Sequence, residues 1–409
     1  MSTAAARNRA AGALAAAAVA AVVLGGCGGG GGKVSPLVSP PARSGGASAP
    51  APVPSASGTG SAQATASPGD TPSAAPATGT AKVTGTVATS LTSPWGVAAL
   101  PDGTLLVGSR DSGTISRVDV DKGTVTPVGT VPGVTHTQGG ENGLLGLAVS
   151  PDFGSDKLVY AYFTTDSDNR VARMIYDPSR PRGEQLGAPD TILRGIPSGT
   201  IHNGGRIAFG PDGMLYAGTG ETGDRPLAQD MSSLGGKILR MTPDGQPPQD
   251  NPVPGSLVYS PGHRNVQGLA WDPAGHLWAS EFGQDKWDEL NYIQPGRNYG
   301  WPVVEGIAHN PAYVDPVAQW PTDQASPSGI AYAGGCVWVA SLKGERLWRV
   351  PLRGTTAAAA PQAFLTKKYG RLRTVVALDD HTLLVTTSNT DGRGTPHPGD
   401  DRILRVEVS

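Results

Sequence analysis

Arg371 and Arg373 stand two residues apart in an extended run, so their side chains share one face. Arg264 and Lys343 are expected to join them. Such a cluster, in a chain whose formal net charge is −2, calls for a compact polyanion rather than a long nucleic acid, which needs a broad basic field. Carboxylates and phosphates both qualify, because arginine grips either one bidentately. A competing reading pairs one or two of these cations with acids such as Glu141 or Glu281. His202 is the best general base, since an imidazole titrates near neutrality, and Asn203-Gly204-Gly205 after it would let backbone approach a ligand. His263 is the rival, but it directly precedes Arg264-Asn265 and serves equally well as a support. Glu281-Phe282-Gly283-Gln284-Asp285 is a polar, turn-forming stretch whose exposed carbonyls suit a hard cation such as Ca²⁺.

The elements that must bring these residues together are repeats. Trp95-Gly96-Val97-Ala98-Ala99-Leu100-Pro101-Asp102-Gly103 is echoed by Leu145–Asp152, Gly205–Gly213 and Gln267–Gly275, and more loosely by Ser328–Gly335 and Thr374–Asp380. Their spacing, roughly 45 to 60 residues, is that of propeller blades. The first copy predicts strands over 96–100, 104–110 and 114–120 and a fourth from Thr124, separated by Pro101-Asp102-Gly103, Asp111-Ser112-Gly113 and Asp121-Lys122-Gly123. Such turns between apolar runs are hairpin signals, and four antiparallel strands make a blade. The sequence therefore predicts an all-β, six-bladed propeller. A charged fraction of only 16% and abundant Gly and Pro agree with short strands and many turns.

In a propeller the innermost strand begins, and the second strand ends, at the same mouth of the central channel. Before the inner strands stand Glu141-Asn142, His202-Asn203, His263-Arg264-Asn265, Trp320-Pro321-Thr322 and Arg371-Leu372-Arg373. After the second strands stand Glu221, Glu281–Gln284 and Ser341-Leu342-Lys343. Polar residues gathered on one mouth predict a binding site there.

The N-terminus reads differently. Arg7 and Arg9 precede an uncharged Ala/Val-rich run over 10–23, too short for a mature membrane span, in the layout of a secretory signal peptide. Leu24-Gly25-Gly26-Cys27 resembles the bacterial lipobox, whose cysteine is lipidated; an ordinary signal peptide cut elsewhere is the alternative. The organisation expected is a lipoprotein signal peptide over 1–27, a disordered Gly/Ser/Pro/Ala-rich tether over 28–82, and the propeller over 83–409. This implies an exported protein held at the outer face of the cell membrane by its lipid alone. A lipidated Cys27 leaves Cys336 without an intrachain partner. Within Cys336-Val337-Trp338-Val339-Ala340, that residue reads as a small buried hydrophobe.

Six ordered stretches resemble the soluble pyrroloquinoline quinone (PQQ)-dependent glucose/sorbosone dehydrogenase family, which includes the aldose sugar dehydrogenases. They are Glu141–Gly146, His202–Arg206, Gly236–Arg240, Gly262–Leu269, Glu281–Asn291 and Asn298-Tyr299-Gly300-Trp301-Pro302, and the likeness runs over about 89–408. The resemblance implies that His202 is the catalytic base and that Arg264, Asn265, Thr322, Lys343, Arg371 and Arg373 hold the quinone, which carries three carboxylates. Ser326 or Ser328 would replace Thr322 after a small gap shift. It further implies that the carbonyls of Gly283 and Gln284 ligate the active-site Ca²⁺, that Asp288 lies near the site, and that Glu289 and Tyr299 are available to a structural Ca²⁺. The reaction implied is hydride transfer from a sugar or related polyol to PQQ, with Ca²⁺ polarising a quinone carbonyl. An aldose would leave as its lactone, and an external electron acceptor would reoxidise the cofactor.

Two departures bear on substrate. Where this chain has Glu141 and Ile201, the glucose enzymes have Gln and Asp. Both positions lie near the sugar or the base, so broad aldose oxidation is a better analogy than glucose oxidation. The competing functions are a Ca²⁺-dependent lactonase of the same fold, which would need an acidic and Asn cage where this mouth offers Arg and Lys, and a non-enzymatic surface propeller that binds a glycan or a protein partner.

Overall fold

The computed structural model describes residues 74–409. The signal peptide, Cys27 and most of the expected tether lie outside the described residues. Among the described residues no helix is long and apolar enough to cross a membrane.

Six antiparallel sheets follow one another along the chain. The first consists of Pro94–Ala99, Leu105–Ser109, Thr114–Val118 and Val125–Thr130, close to the four strands expected from its turns. The second to fourth have the same plan, with inner strands Leu144–Val149, Ile207–Phe209 and Val266–Trp271. The fifth starts with Pro327–Ala333, and its outer position is divided between two short strands, Thr356–Ala357 and Gln362–Phe364, which both pair with Arg346–Arg353. In the sixth, Leu372–Ala377, Thr382–Thr387 and Ile403–Val408 accept Ala81–Ala88 as the outermost strand. The inner strands contact one another in sequence around the ring, and the sixth meets the first, where Thr374 Oγ1 donates to the Trp95 carbonyl at 2.7 Å. The molecule is a six-bladed β-propeller closed by its own N-terminal strand.

That closure moves the domain boundary. Ala81 and Lys82 already pair with Val408 and Glu407, and Ala75 N–H donates to the Leu352 carbonyl at 2.9 Å. The expected tether over 28–82 is thus corrected at its end: residues 75–82 find backbone partners on the fifth and sixth blades, which their poor side-chain composition gave no reason to expect.

The core lies between blades. Six apolar clusters each join two neighbouring blades. Successive residues of a strand point to opposite faces of its sheet, so Leu105 packs toward the sixth blade while Leu106 packs toward the second. Likewise Cys336, Trp338 and Ala340 join the cluster with the sixth blade, and Val337 and Val339 the cluster with the fourth. Both faces are buried, which is why these strands read as continuous apolar runs. Cys336 is such a packing residue, and burial pushes its thiol up to about 11.

Ile403 is fully buried at the seam between the sixth and first blades. Ile403→Ala should cost about 2–5 kcal/mol in chemical denaturation, the range for a large buried residue cut to alanine. Ile175→Ala, at an exposed position, should change little. Equal denaturation midpoints for the two variants would contradict closure through this seam.

Candidate active site

One mouth of the channel opens into a cavity of about 260 Å³ lined by Trp95, Arg110, Glu141, His202, Arg264, Gln267, Phe282, Ser326, Leu342, Lys343, Arg371, Arg373 and Arg393. These residues come from inner-strand starts and second-strand ends of several blades. The convergence expected from the repeats is therefore present.

His202 sits in the loop before the third inner strand with φ of +52°. Its Nδ1 donates to Glu221 Oε1 at 2.5 Å, and its backbone N–H donates to Glu141 Oε2 at 2.9 Å. A carboxylate accepts, so the hydrogen resides on Nδ1 and Nε2 keeps the lone pair a base requires. Gly204 and Gly205 serve a different purpose from the expected ligand approach. A Cβ at Gly204 would lie 2.5 Å from the Gly218 carbonyl oxygen, and one at Gly205 2.6 Å from Leu145 Cβ, so the neighbours that require glycine are protein. His263 is fully buried, with Nδ1 bonded to Glu281 at 2.7 Å, Nε2 to Ser260 at 2.9 Å, and its ring stacked on Tyr299. Both of its nitrogens are committed, and Glu281 also accepts from Arg264 N–H. His263 supports Arg264.

The cations form two groups. Arg371 Nη2 and Arg373 Nη2 donate to the same atom, Asp391 Oδ2, at 3.1 and 3.2 Å, and Arg110 Nη2 reaches the Asp391 carbonyl at 3.1 Å. Burial alone would raise the Asp391 pKa, but Arg373 and Arg371 hold it down at about 2. Burial in turn lowers Arg373 to about 10. On the other side of the cavity, Arg264 Nη1 donates weakly to the Phe282 carbonyl at 3.3 Å, and its buried Nε has no partner among the described residues. Asn265 accepts from Gly204 N–H through Oδ1, and its buried Nδ2 is unpaired among the described residues. Lys343 is exposed and makes no ion pair among the described residues. In the cavity lining, the Trp95 ring has the guanidinium groups of Arg206 and Arg373 at 4.3 and 5.7 Å from its centroid, within the range where an aromatic face attracts cations.

Thr322 does not reach this wall. It follows directly on the outermost strand Ala318–Pro321, so the chain has still to cross the blade radially, and the residue that arrives at the cavity is Ser326. Asp288 stands behind the wall, fully buried, accepting from Gly283 N–H at 2.8 Å and Ser326 N–H at 2.6 Å. Burial pushes its carboxyl up to about 7. Glu141 Oε1 pairs with Arg393 Nη1 at 2.5 Å. Burial works against its ionisation, yet Arg393 and the His202 N–H together hold its carboxyl below the usual range. The carbonyls of Gly283 and Gln284 accept no hydrogen bond among the described residues, and no group of three or more His, Cys, Asp or Glu there is placed to hold a metal. The two unengaged carbonyls are the oxygens this stretch offers a cation. Tyr299 is committed otherwise: its hydroxyl donates to the Tyr292 carbonyl at 2.7 Å and accepts from Gln294 N–H at 2.8 Å. Glu289 accepts from Gly306 N–H and Asn291 Nδ2, and burial, then Glu281, pushes it up to about 8.

Sequence reading missed Arg110, Asp391, Trp95, Gln267 and Arg393 as site residues, and did not see that Glu221 orients the base. Arg110-Asp111 and Ser388–Asp391 follow the second strands of the first and sixth blades. The rule that found Glu221 and Lys343 would have found them too.

Asp391→Asn keeps the side chain's shape but removes the charge facing three guanidinium groups. Denaturation at neutral pH should show a loss of about 3–5 kcal/mol, the scale for breaking a buried pair by removing one partner. The folded-state pKa of about 2 lies below the ordinary 3.8, so the contribution is full above about pH 4 and is lost as pH falls through 2. A difference between wild type and variant that persisted undiminished at pH 2 would contradict this assignment.

Residues 91–404 match the glucose/sorbosone dehydrogenase family. The chain is 35% identical to quinoprotein glucose dehydrogenase B of Acinetobacter calcoaceticus over 251 residues, covering 54% of this chain and 51% of that protein, so this match spans only about half of the relative. It is 30% identical to the aldose sugar dehydrogenase YliI of Escherichia coli over 351 residues, covering 78% of this chain and 92% of that one. Among solved structures, the PQQ-bound form of aldose sugar dehydrogenase from Streptomyces coelicolor superposes with a TM-score of 0.81 at 66% identity, covering 82% of this chain and all of that one. With the family match extending over well more than half of the 409 residues, and with the fold and cationic mouth agreeing with it, the chain belongs to the glucose/sorbosone dehydrogenase family.

Proposed function

We propose that this propeller is a PQQ-dependent sugar dehydrogenase that oxidises an aldose to its lactone. The observation that carries the reading is the charge of the cavity wall. Arg110, Arg264, Lys343, Arg371, Arg373 and Arg393 line it, and Glu141 is the one carboxylate among the lining residues. Arg110 is paired with Asp111 and Arg393 with Glu141, but Arg371 and Arg373 share the single carboxylate of Asp391, and Arg264 and Lys343 make no ion pair among the described residues. The uncompensated cations need anionic, hydrogen-bonding partners, which a quinone with three carboxylates would supply. The unpaired Arg264 Nε and Asn265 Nδ2 add donors without acceptors, as expected of a wall shaped to a bound group. Membership of the family and likeness to the PQQ-bound Streptomyces enzyme support the same cofactor.

Each residue then has a task. Arg371, Arg373, Lys343 and Arg264 hold carboxylates and carbonyls of the cofactor, with Asn265 as a neutral donor and Ser326 at the position first given to Thr322. The carbonyls of Gly283 and Gln284 would offer Ca²⁺ two hard ligands. When bound, PQQ supplies the hydride acceptor and Ca²⁺ the Lewis acid that polarises its carbonyl. His202 Nε2 takes the proton of the sugar's anomeric hydroxyl while the hydride leaves the same carbon, so the sugar loses two electrons and two hydrogens and departs as the lactone. Glu221 stabilises the imidazolium that forms, and Glu141 fixes the backbone of His202. An external acceptor would be needed to reoxidise the cofactor. A lactonase is disfavoured because its acidic cage is missing from the wall and Glu141 is already paired with Arg393. A purely binding propeller would have no use for the buried His202–Glu221 pair.

His202→Ala should retain PQQ binding and lose about 10² to 10⁴-fold in dye-coupled aldose oxidation, the usual contribution of a general base. A neutral imidazole adds little to holding a polyanion among fixed cations. Wild-type turnover of that variant at saturating PQQ would remove His202 from the mechanism.

The lipobox-like Leu24–Cys27 and the low-complexity run behind it support export and lipid anchoring at the outer face of the membrane. Cys27→Ser should release the domain or leave it unprocessed, as read by membrane fractionation. Unchanged attachment of the variant would contradict the anchor.

A further inference from the structure

We infer that Glu305, which lies outside every motif that marked the site, is the positioning residue of the cation site and acts on it through two peptide planes. The inference rests on the reading that the Gly283 and Gln284 carbonyls hold Ca²⁺.

A single atom, Glu305 Oε1, accepts four consecutive backbone N–H groups: Gln284 at 2.7 Å, Asp285 at 3.1 Å, Lys286 at 3.0 Å and Trp287 at 3.1 Å. The loop is wrapped around one carboxylate oxygen. In a planar trans peptide, the N–H of one residue and the C=O of the residue before it point in opposite directions. The N–H of Gln284 shares its plane with the Gly283 carbonyl, and the N–H of Asp285 shares its plane with the Gln284 carbonyl. By drawing these two N–H groups to one side, Glu305 turns the two carbonyls to the other. Neither carbonyl is used by another donor among the described residues. The preceding peptide repeats the arrangement, with Gly283 N–H held by Asp288 and the Phe282 carbonyl facing Arg264 in the cavity wall.

Glycine at position 283 is part of this device. A Cβ there would lie 1.8 Å from the Trp287 carbonyl oxygen and 2.8 Å from Glu305 Oε1, so no other residue lets the loop close on the carboxylate. The electrostatic consequence follows from the same geometry. Carbonyl ligands bring no formal charge, and no acidic cluster among the described residues supplies one. Glu305 provides a negative charge behind the peptides, and a charged acceptor on the N–H side polarises each peptide so that its oxygen becomes a stronger ligand. Glu305 makes no hydrogen bond to His202 or to a side chain of the cavity wall, although its charge also reaches Arg264, so cation affinity is the readout that reports its positioning role.

The test compares wild type with Glu305→Gln, which keeps an acceptor oxygen and loses the charge, and Glu305→Ala, which loses both. Each protein, reconstituted with PQQ, is titrated with Ca²⁺ against a competing fluorescent chelator, and turnover is measured separately at saturating Ca²⁺. The Ca²⁺ dissociation constant should rise about 10 to 100-fold in Glu305→Ala, the usual cost of losing a residue that orients metal ligands, and by an intermediate factor in Glu305→Gln. Saturating Ca²⁺ should bring turnover of Glu305→Gln to within a few-fold of wild type, a rescue that general misfolding would not allow. If Glu305→Ala fails to fold, the Glu305→Gln titration alone decides. Wild-type Ca²⁺ affinity in the folded variants overturns the role of Glu305 while leaving the metal reading intact. Absence of Ca²⁺ binding in the wild type overturns both.

Discussion

Three guanidinium groups, those of Arg110, Arg371 and Arg373, converge on Asp391, and with Asp111 paired to Arg110 two carboxylates face three cations. They come from opposite ends of the chain, since Arg110 and Asp391 are 281 residues apart. Only closure of the ring brings them together. The closing strand Ala81–Ala88 and the seam between the sixth and first blades therefore support the cofactor clamp as well as the fold. The imbalance left at the clamp gives the cavity its chemistry. A buried cation short of a full counter-charge is costly, and on the proposed reading a tricarboxylate quinone would turn that cost into binding energy.

Opposite the clamp, the wall is organised by carboxylates that lie behind it. Glu221 orients His202, Glu281 engages both His263 and Arg264 N–H, Asp288 fixes Gly283 and Ser326, and Glu305 gathers the loop after Gly283. None of these four lines the cavity. The acids set orientation from outside, and the wall itself presents cations, carbonyls and one imidazole. On the proposed reading, this separation would let the site hold an anion and a divalent cation side by side, because the negative charge that favours a metal is kept away from the carboxylates of the cofactor. It also accounts for Glu141, the one acid in the wall, being held by Arg393.

Much of this was legible in the sequence, because a propeller repeats its signals. Turns such as Pro101-Asp102-Gly103 marked the strands, and the position before each inner strand marked the mouth, so His202, Arg264, Lys343, Arg371 and Arg373 were found from spacing alone. Where the reading failed, the cause was an interaction without a local signature. Residues 75–82 look like tether because their partners lie on the fifth and sixth blades, far along the chain. Thr322 was preferred to Ser326 because sequence does not show how many residues are needed to cross a blade. Asp391 and Arg110 were passed over because the second-strand rule was applied to only three blades. Glu305 acts on N–H groups that every residue but proline possesses, so no residue pattern announces its target.

The central claim is that the cationic mouth is a stoichiometric PQQ site whose occupancy makes the protein a sugar dehydrogenase. Its most direct test is an equilibrium titration of the cofactor-free protein with PQQ in the presence of Ca²⁺, with aldose-dependent dye reduction measured at each point. The account predicts saturable binding at one PQQ per chain and activity that rises in proportion to the bound fraction. Failure to bind PQQ, or aldose oxidation that does not depend on the amount bound, would contradict it.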